Sequence, residues 1–96
     1  MIYTDNTHLV ADSLPELHAF ARQMELHKCY FGGIRKRHPH YDLLNSKNQP
    51  LYDKAGKKMM DKAIEMGAIL SRPRVVLAKS KALAKTDRKG QYYLHD

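Results

Sequence analysis

The chain contains one cysteine, no tryptophan and no apolar run approaching the ~20 residues that a membrane span requires. A lone Cys29 can build neither an internal disulfide nor a thiolate cluster, which excludes a disulfide-stapled scaffold and points to a reducing compartment. The opening MIYTD lacks the basic and apolar regions of a secretory signal, so a cytoplasmic location without membrane contact is the expectation. Glycine and proline are sparse, 5 and 4 in 96 residues, too few for a fibrous or low-complexity chain. What remains is ordinary globular composition, 43% hydrophobic and 28% charged. That suits one domain with a modest core, expected over residues 1–85, followed by a tail over 86–96.

Acidic residues are the other shortage. Seventeen Lys+Arg against ten Asp+Glu leave a net charge of +7, which favours an anionic partner. The excess is uneven. Residues 1–34 sum to −2, with Asp5, Asp12, Glu16 and Glu25 against Arg22 and Lys28. Residues 35–50, 51–70 and 71–96 sum to +3, +1 and +5. The basic character therefore belongs to the Arg35-Lys36-Arg37 run and to the C-terminal quarter.

Ile2-Tyr3-Thr4 reads as a short strand, broken by the turn formers Asp5-Asn6-Thr7. Ser13-Leu14-Pro15-Glu16 is a capping box, and Leu14, Leu17, Phe20/Ala21 and Met24 predict a helix over about 14 to 25. Cys29-Tyr30-Phe31 reads as a buried strand ended by Gly32-Gly33. A polar stretch follows, then a helix from about Ala55 to Met66 stopped by Gly67. Ala68-Ile69-Leu70 is a third strand, and Ser71 caps a third helix with Pro73 in its first turn. Gln91-Tyr92-Tyr93-Leu94 could pair as an edge strand. The order β-α-β-α-β-α predicts a small α/β fold with a three-stranded, largely parallel sheet. Ligands of such sheets gather at the carboxyl ends of the strands, which would pool Asp5-Asn6-Thr7-His8, the Gly32 to Asp42 segment and Ser71-Arg72 on one edge.

His38-Pro39-His40-Tyr41-Asp42 is the densest chemistry in the chain. In extended backbone His38, His40 and Asp42 share one side and Tyr41 takes the other. Three readings compete. His-x-His-x-Asp supplies three N/O ligands for zinc or manganese, a reading that is admitted but not favoured. Phosphate chemistry without metal would use the His pair as acid and base, with Lys47 on an oxyanion and Tyr41 on a base. The third reading is a structural loop. Ser71-Arg72, between a strand and a helix, could hold an anion, whereas His8, His18, His27 and His95 show no partner spacing and read as surface groups.

The segments MIYTDNTHLVADSLPELHAFA, HPHYDL, the following SK, and a GA-strand leading to SR resemble the domain-of-unknown-function family 4031. The likeness spans about residues 1–77 and concerns short proteins of bacteria and phages. It assigns no activity; by motif match it marks Asp5, His38, His40, Tyr41, Asp42, Ser46, Lys47, Ser71 and Arg72. The chain departs from the pattern in a longer Asn48 to Lys57 connection and in Gly32-Gly33.

The expectation is a protein that binds a phosphorylated ligand, a nucleotide before others, at the carboxyl edge of its sheet. Arg72, Lys47 and Ser71 would hold phosphate, His38, His40 and Tyr41 the base or sugar, and Asp5 or Asp42 the ribose. In a phage, the resemblance extends this to sequestering a signalling nucleotide. One rival is a phosphodiesterase or nuclease in which His38, His40 and Lys47 are catalytic, with His38, His40 and Asp42 as ligands if a metal takes part. Another is a nucleic-acid-binding or assembly protein acting through its tail, and a core this slight leaves a homo-oligomer open.

Overall fold

A computed structural model describes residues 1–33 and 37–86. Its elements are β1 (Ile2–Thr4), β2 (His8–Ala11), α1 (Leu14–Gln23), a 3-10 turn (Lys28–Tyr30), β3 (Phe31–Gly32), β4 (His40–Asp42), α2 (Met59–Glu65), β5 (Ile69–Leu70) and α3 (Pro73–Thr86). The fold is α/β, but the expected three-stranded, largely parallel sheet is corrected to five strands in the order β3-β4-β2-β1-β5. Only β1 and β5 run parallel; the other three pairings are antiparallel.

The correction begins at Asp5-Asn6-Thr7, which is a hairpin and not an exit toward a helix. Asp5 Oδ1 accepts from the amides of Thr7 (2.9 Å) and His8 (2.7 Å), and Asn6 takes a left-handed φ of 74°. So short a turn can return the chain only antiparallel, because a parallel crossover needs a dozen or more residues. β2 follows directly and pairs Leu9 with Thr4 and Ala11 with Ile2. Leu9, Val10 and Ala11 are all fully buried because helices cover both faces of this central strand. Leu9 lies on the α1 side with Tyr41, while Val10 faces α3 with His40.

α1 starts as its capping box predicts, with Ser13 Oγ accepting from the Glu16 amide at 3.3 Å. It stops at Gln23, because Glu25 turns left-handed (φ 63°) and Leu26 N–H reaches back to the Ala21 carbonyl at 2.9 Å. That is a Schellman ending, with buried Leu26 sealing it. The expected strand at Cys29-Tyr30-Phe31 is mostly the 3-10 turn, in which His27 Nδ1 accepts from the Cys29 amide (3.0 Å).

α2 begins at Met59 and not near Ala55, since Asp53 to Lys57 forms a tight turn with Gly56 at φ 85°. Asp53 Oδ1 accepts from the amides of Ala55 and Lys57, and its other oxygen pairs with Lys62 at 3.1 Å. The Lys57 amide first, then Lys62, hold the Asp53 carboxyl below its ordinary range. A carboxyl depressed by folding stabilises the fold above its unfolded pKa and loses that contribution as pH falls through the folded value. Asp53→Asn should therefore melt below the wild type at pH ~7, and the gap should shrink progressively as pH falls below the ordinary Asp value of about 4. A gap that persists in acid would show the carboxylate charge is not what matters.

α3 begins at Pro73, as expected, and continues through Thr86. No helix among the described residues is long and apolar enough to cross a membrane. Arg35, Lys36, the Tyr92-Tyr93 pair and the candidate edge strand at Gln91 to Leu94 lie outside the described residues.

Candidate functional site

Alternation along β2 and β4 decides which side chains meet. His8 sits opposite Asp42 and Leu9 opposite Tyr41, so His8, Val10, His40 and Asp42 share the α3 face of the sheet. Tyr41 goes to the other face, 2% exposed, its hydroxyl 2.8 Å from His18 Nδ1. Burial pushes the Tyr41 phenol up to about 12. Tyr41 is thus packed in the core, away from the cleft, and His18, read from sequence as a surface group, is buried beside it and Phe31.

On the α3 face, His8 Nε2 and His40 Nε2 approach the same Asp42 oxygen, at 4.0 and 3.2 Å. The two imidazoles meet edge to face with centroids 4.9 Å apart. One ligand atom from each of His8, His40 and Asp42 lies within 4.8 Å of the others, the one such group of His, Cys, Asp or Glu among the described residues. Donors bound at zinc's ~2.0–2.1 Å in a tetrahedron stand about 3.3 Å apart. The His40–Asp42 contact at 3.2 Å is already at that spacing, and His8 Nε2 at 4.0 Å from the same oxygen lies about 0.7 Å beyond it.

Both imidazoles are held from behind. His8 Nδ1 lies 3.2 Å from Asp5 Oδ2, and His40 Nδ1 lies 2.7 Å from the His38 carbonyl. A carboxylate and a carbonyl can only accept, so each Nδ1 donates on its backing side; Asp42 likewise can only accept, so a metal bound there would take the place of a proton on Nε2. Such backing fixes tautomer and ring orientation in metal-binding histidines. The Asp5 side chain is 5% exposed. Burial pushes its carboxyl up, but donation from the His8 amide, the His8 ring and the Thr7 amide outweighs this and holds it below the ordinary carboxylate range. The backing group therefore stays an anion.

Beside the cluster lies a cleft of about 260 Å³ lined by Asp5, His8, His38 and His40 on the sheet side. Val10, Pro73, Val76, Leu77 and Ser80 complete its walls. Ser80 Oγ donates to the Pro39 carbonyl at 2.7 Å, buried, which fastens α3 to the His38-Pro39-His40 segment. A broader polar depression opens past His8 and Asp42, where Thr7, Cys29, Asn45 and Ser46 line it. The His8/Asp42 pair stands between the two.

The structure brings together Asp5, His40 and Asp42 from the sequence-derived set and adds His8. Its chemical signal was the return of the chain after Asp5-Asn6-Thr7, which places His8 beside Asp5. His38 contributes its carbonyl to His40, and its ring stacks on His40 with centroids 5.4 Å apart and planes 14° from parallel. Ser71 directly follows β5, its amide donating to the Thr4 carbonyl (2.8 Å) and its hydroxyl to the Ile69 carbonyl (3.2 Å). Arg72 next to it is exposed at the start of α3, and Lys47 is exposed on the Asn45 to Asn48 turn. Arg37 reaches away from the cluster, donating to the Ala84 carbonyl near the end of α3 (3.1 Å).

No curated protein and no solved structure matches this chain. The family described as "Protein of unknown function (DUF4031)" matches residues 4–83, so the chain belongs to that family.

Proposed function

We propose that this protein is a divalent-metal-dependent hydrolase of a phosphate ester, with zinc or manganese held by His8, His40 and Asp42. The observation that carries this is the approach of two Nε2 atoms to one Asp42 oxygen, each imidazole backed at Nδ1. Three N/O ligands leave a position for water, the usual arrangement of a catalytic centre as opposed to a structural one. Exposure supports it too, since the His8 and Asp42 side chains are 40% and 45% exposed while His40 is 14%. A substrate can reach the metal.

A divalent metal held by His8, His40 and Asp42 would acidify a bound water and so supply hydroxide for attack on phosphorus. The phosphorus–oxygen bond to the leaving group breaks, and that oxygen takes up a proton from solvent. Phosphate is favoured over other esters by position: α3 starts at Pro73 in the cleft wall, with Arg72 just before it. A helix start at that edge stabilises an anion. The metal-free nucleotide-binding reading has no comparable support, because Arg72 and Lys47, expected to hold its phosphate, are exposed and are not among the residues lining the cleft.

Calorimetric titration of zinc into the metal-free protein, followed by assay of phosphate esters with and without chelator, tests this. One zinc per chain and chelator-sensitive product are expected. Absence of zinc binding overturns the reading; zinc-dependent ligand binding without product would leave a binding protein.

A further inference from the structure

Building on that metal site, we infer that its substrate is a small phosphate ester carrying one planar aromatic ring, as in a mononucleotide, with the ring lying in the cleft between His38 and α3. The cleft adjoins the metal ligands directly, since His8 and His40 line both. Its other walls are Val10, Pro73, Val76 and Leu77, which offer no side-chain hydrogen bond. Most of the polar groups that do line it are committed: Asp5 to the His8 ring and two amides, Ser80 to Pro39, and His40 Nδ1 to the His38 carbonyl, which leaves the His38 ring. Such a cleft rewards burial of a flat apolar surface and penalises a bare sugar or a second phosphate.

The His38 ring, stacked on His40, forms a flat wall of the kind on which nucleobases lie. A volume of about 260 Å³ falls just under the ~300–1,000 Å³ of ligand pockets, which limits an occupant to about one ring system with its sugar. A polymer strand, with its successive bases and phosphates, has no matching groove of stacked aromatics beside this cleft among the described residues. Among the described residues the His38 ring nitrogens are the wall groups left to read a base edge, so discrimination among bases should rest on His38.

The test follows the methyl resonances of Val10, Val76 and Leu77 by NMR in the zinc-loaded protein. Adenosine monophosphate should shift all three and bind about tenfold more tightly than ribose phosphate, the increment expected for stacking one base. Leu77→Trp, at a 45% exposed position, should fill the cleft and abolish that preference while leaving zinc affinity unchanged. Unmoved methyls, or equal affinity for the two ligands, would overturn the inference. Zinc titration of the same samples separates the outcomes: intact zinc binding with unmoved methyls sinks the ring site alone, whereas lost zinc binding sinks the metal reading.

Discussion

Gly33→Ala is expected to cost about 2–5 kcal/mol of stability and to disable the metal site with it. Gly33 holds a left-handed φ of 79°, and its carbonyl accepts from the His38 amide at 3.0 Å. A methyl group there would stand 2.8 Å from His40 Nδ1 and 2.9 Å from His38 Nδ1, and closer still to the His38 carbonyl oxygen. Real side chains do not tolerate such contacts. The atom in the way is the acceptor that orients His40, so relief of the clash turns the imidazole away from Asp42. On a domain of this size the loss corresponds to on the order of 10 °C or more in Tm. Gly32→Ala is the matched control, because a methyl group there meets nothing within 4 Å. If thermal melts of the two variants coincide, the close approach at Gly33 is not limiting.

Within the cluster, the ligands and their supports should separate by magnitude. His40→Ala and Asp42→Ala each remove one of three ligands, and zinc titrations should show affinity falling more than about a hundredfold. Asp5→Asn keeps an oxygen for the Thr7 and His8 amides but withdraws the anion that accepts from the His8 ring. Loss of such a backing group typically costs 10–100-fold in metal affinity, and about that is expected here. His38→Ala should leave zinc affinity nearly unchanged, since His38 serves His40 through its backbone carbonyl. This last variant divides the two accounts. Loss of zinc on His38→Ala would restore the His38, His40 and Asp42 ligand set suggested by the His-x-His-x-Asp spacing.

Much of the local structure was readable because it rests on neighbours in sequence. The Ser13 cap, the Leu14/Leu17/Ala21 stripe and the Pro73 start of α3 are set by residues within one helical turn. The opposite facing of Tyr41 and Asp42 follows from strand alternation alone. The sheet was misread where a side chain and not a glycine closes the turn. Asp5 supplies the hydrogen bonds that make Asp5-Asn6-Thr7 a hairpin, and with no strand assigned to His8–Ala11 after that turn the antiparallel core was lost from view.

The scarcity of cysteine and of apolar runs, the charge and the His-Pro-His-Tyr-Asp spacing determined a small α/β domain with histidine and carboxylate chemistry in one segment. Tertiary structure alone decided the membership of the site. His8 is thirty-two residues from His40, and the two meet because β2 lies antiparallel to β4 with His8 opposite Asp42. His38, two residues from His40, gives its carbonyl to the cluster's support because Gly33 fixes that turn of backbone. Spacing along a chain constrains which side of a strand a residue takes. Pairing between strands decides what it touches.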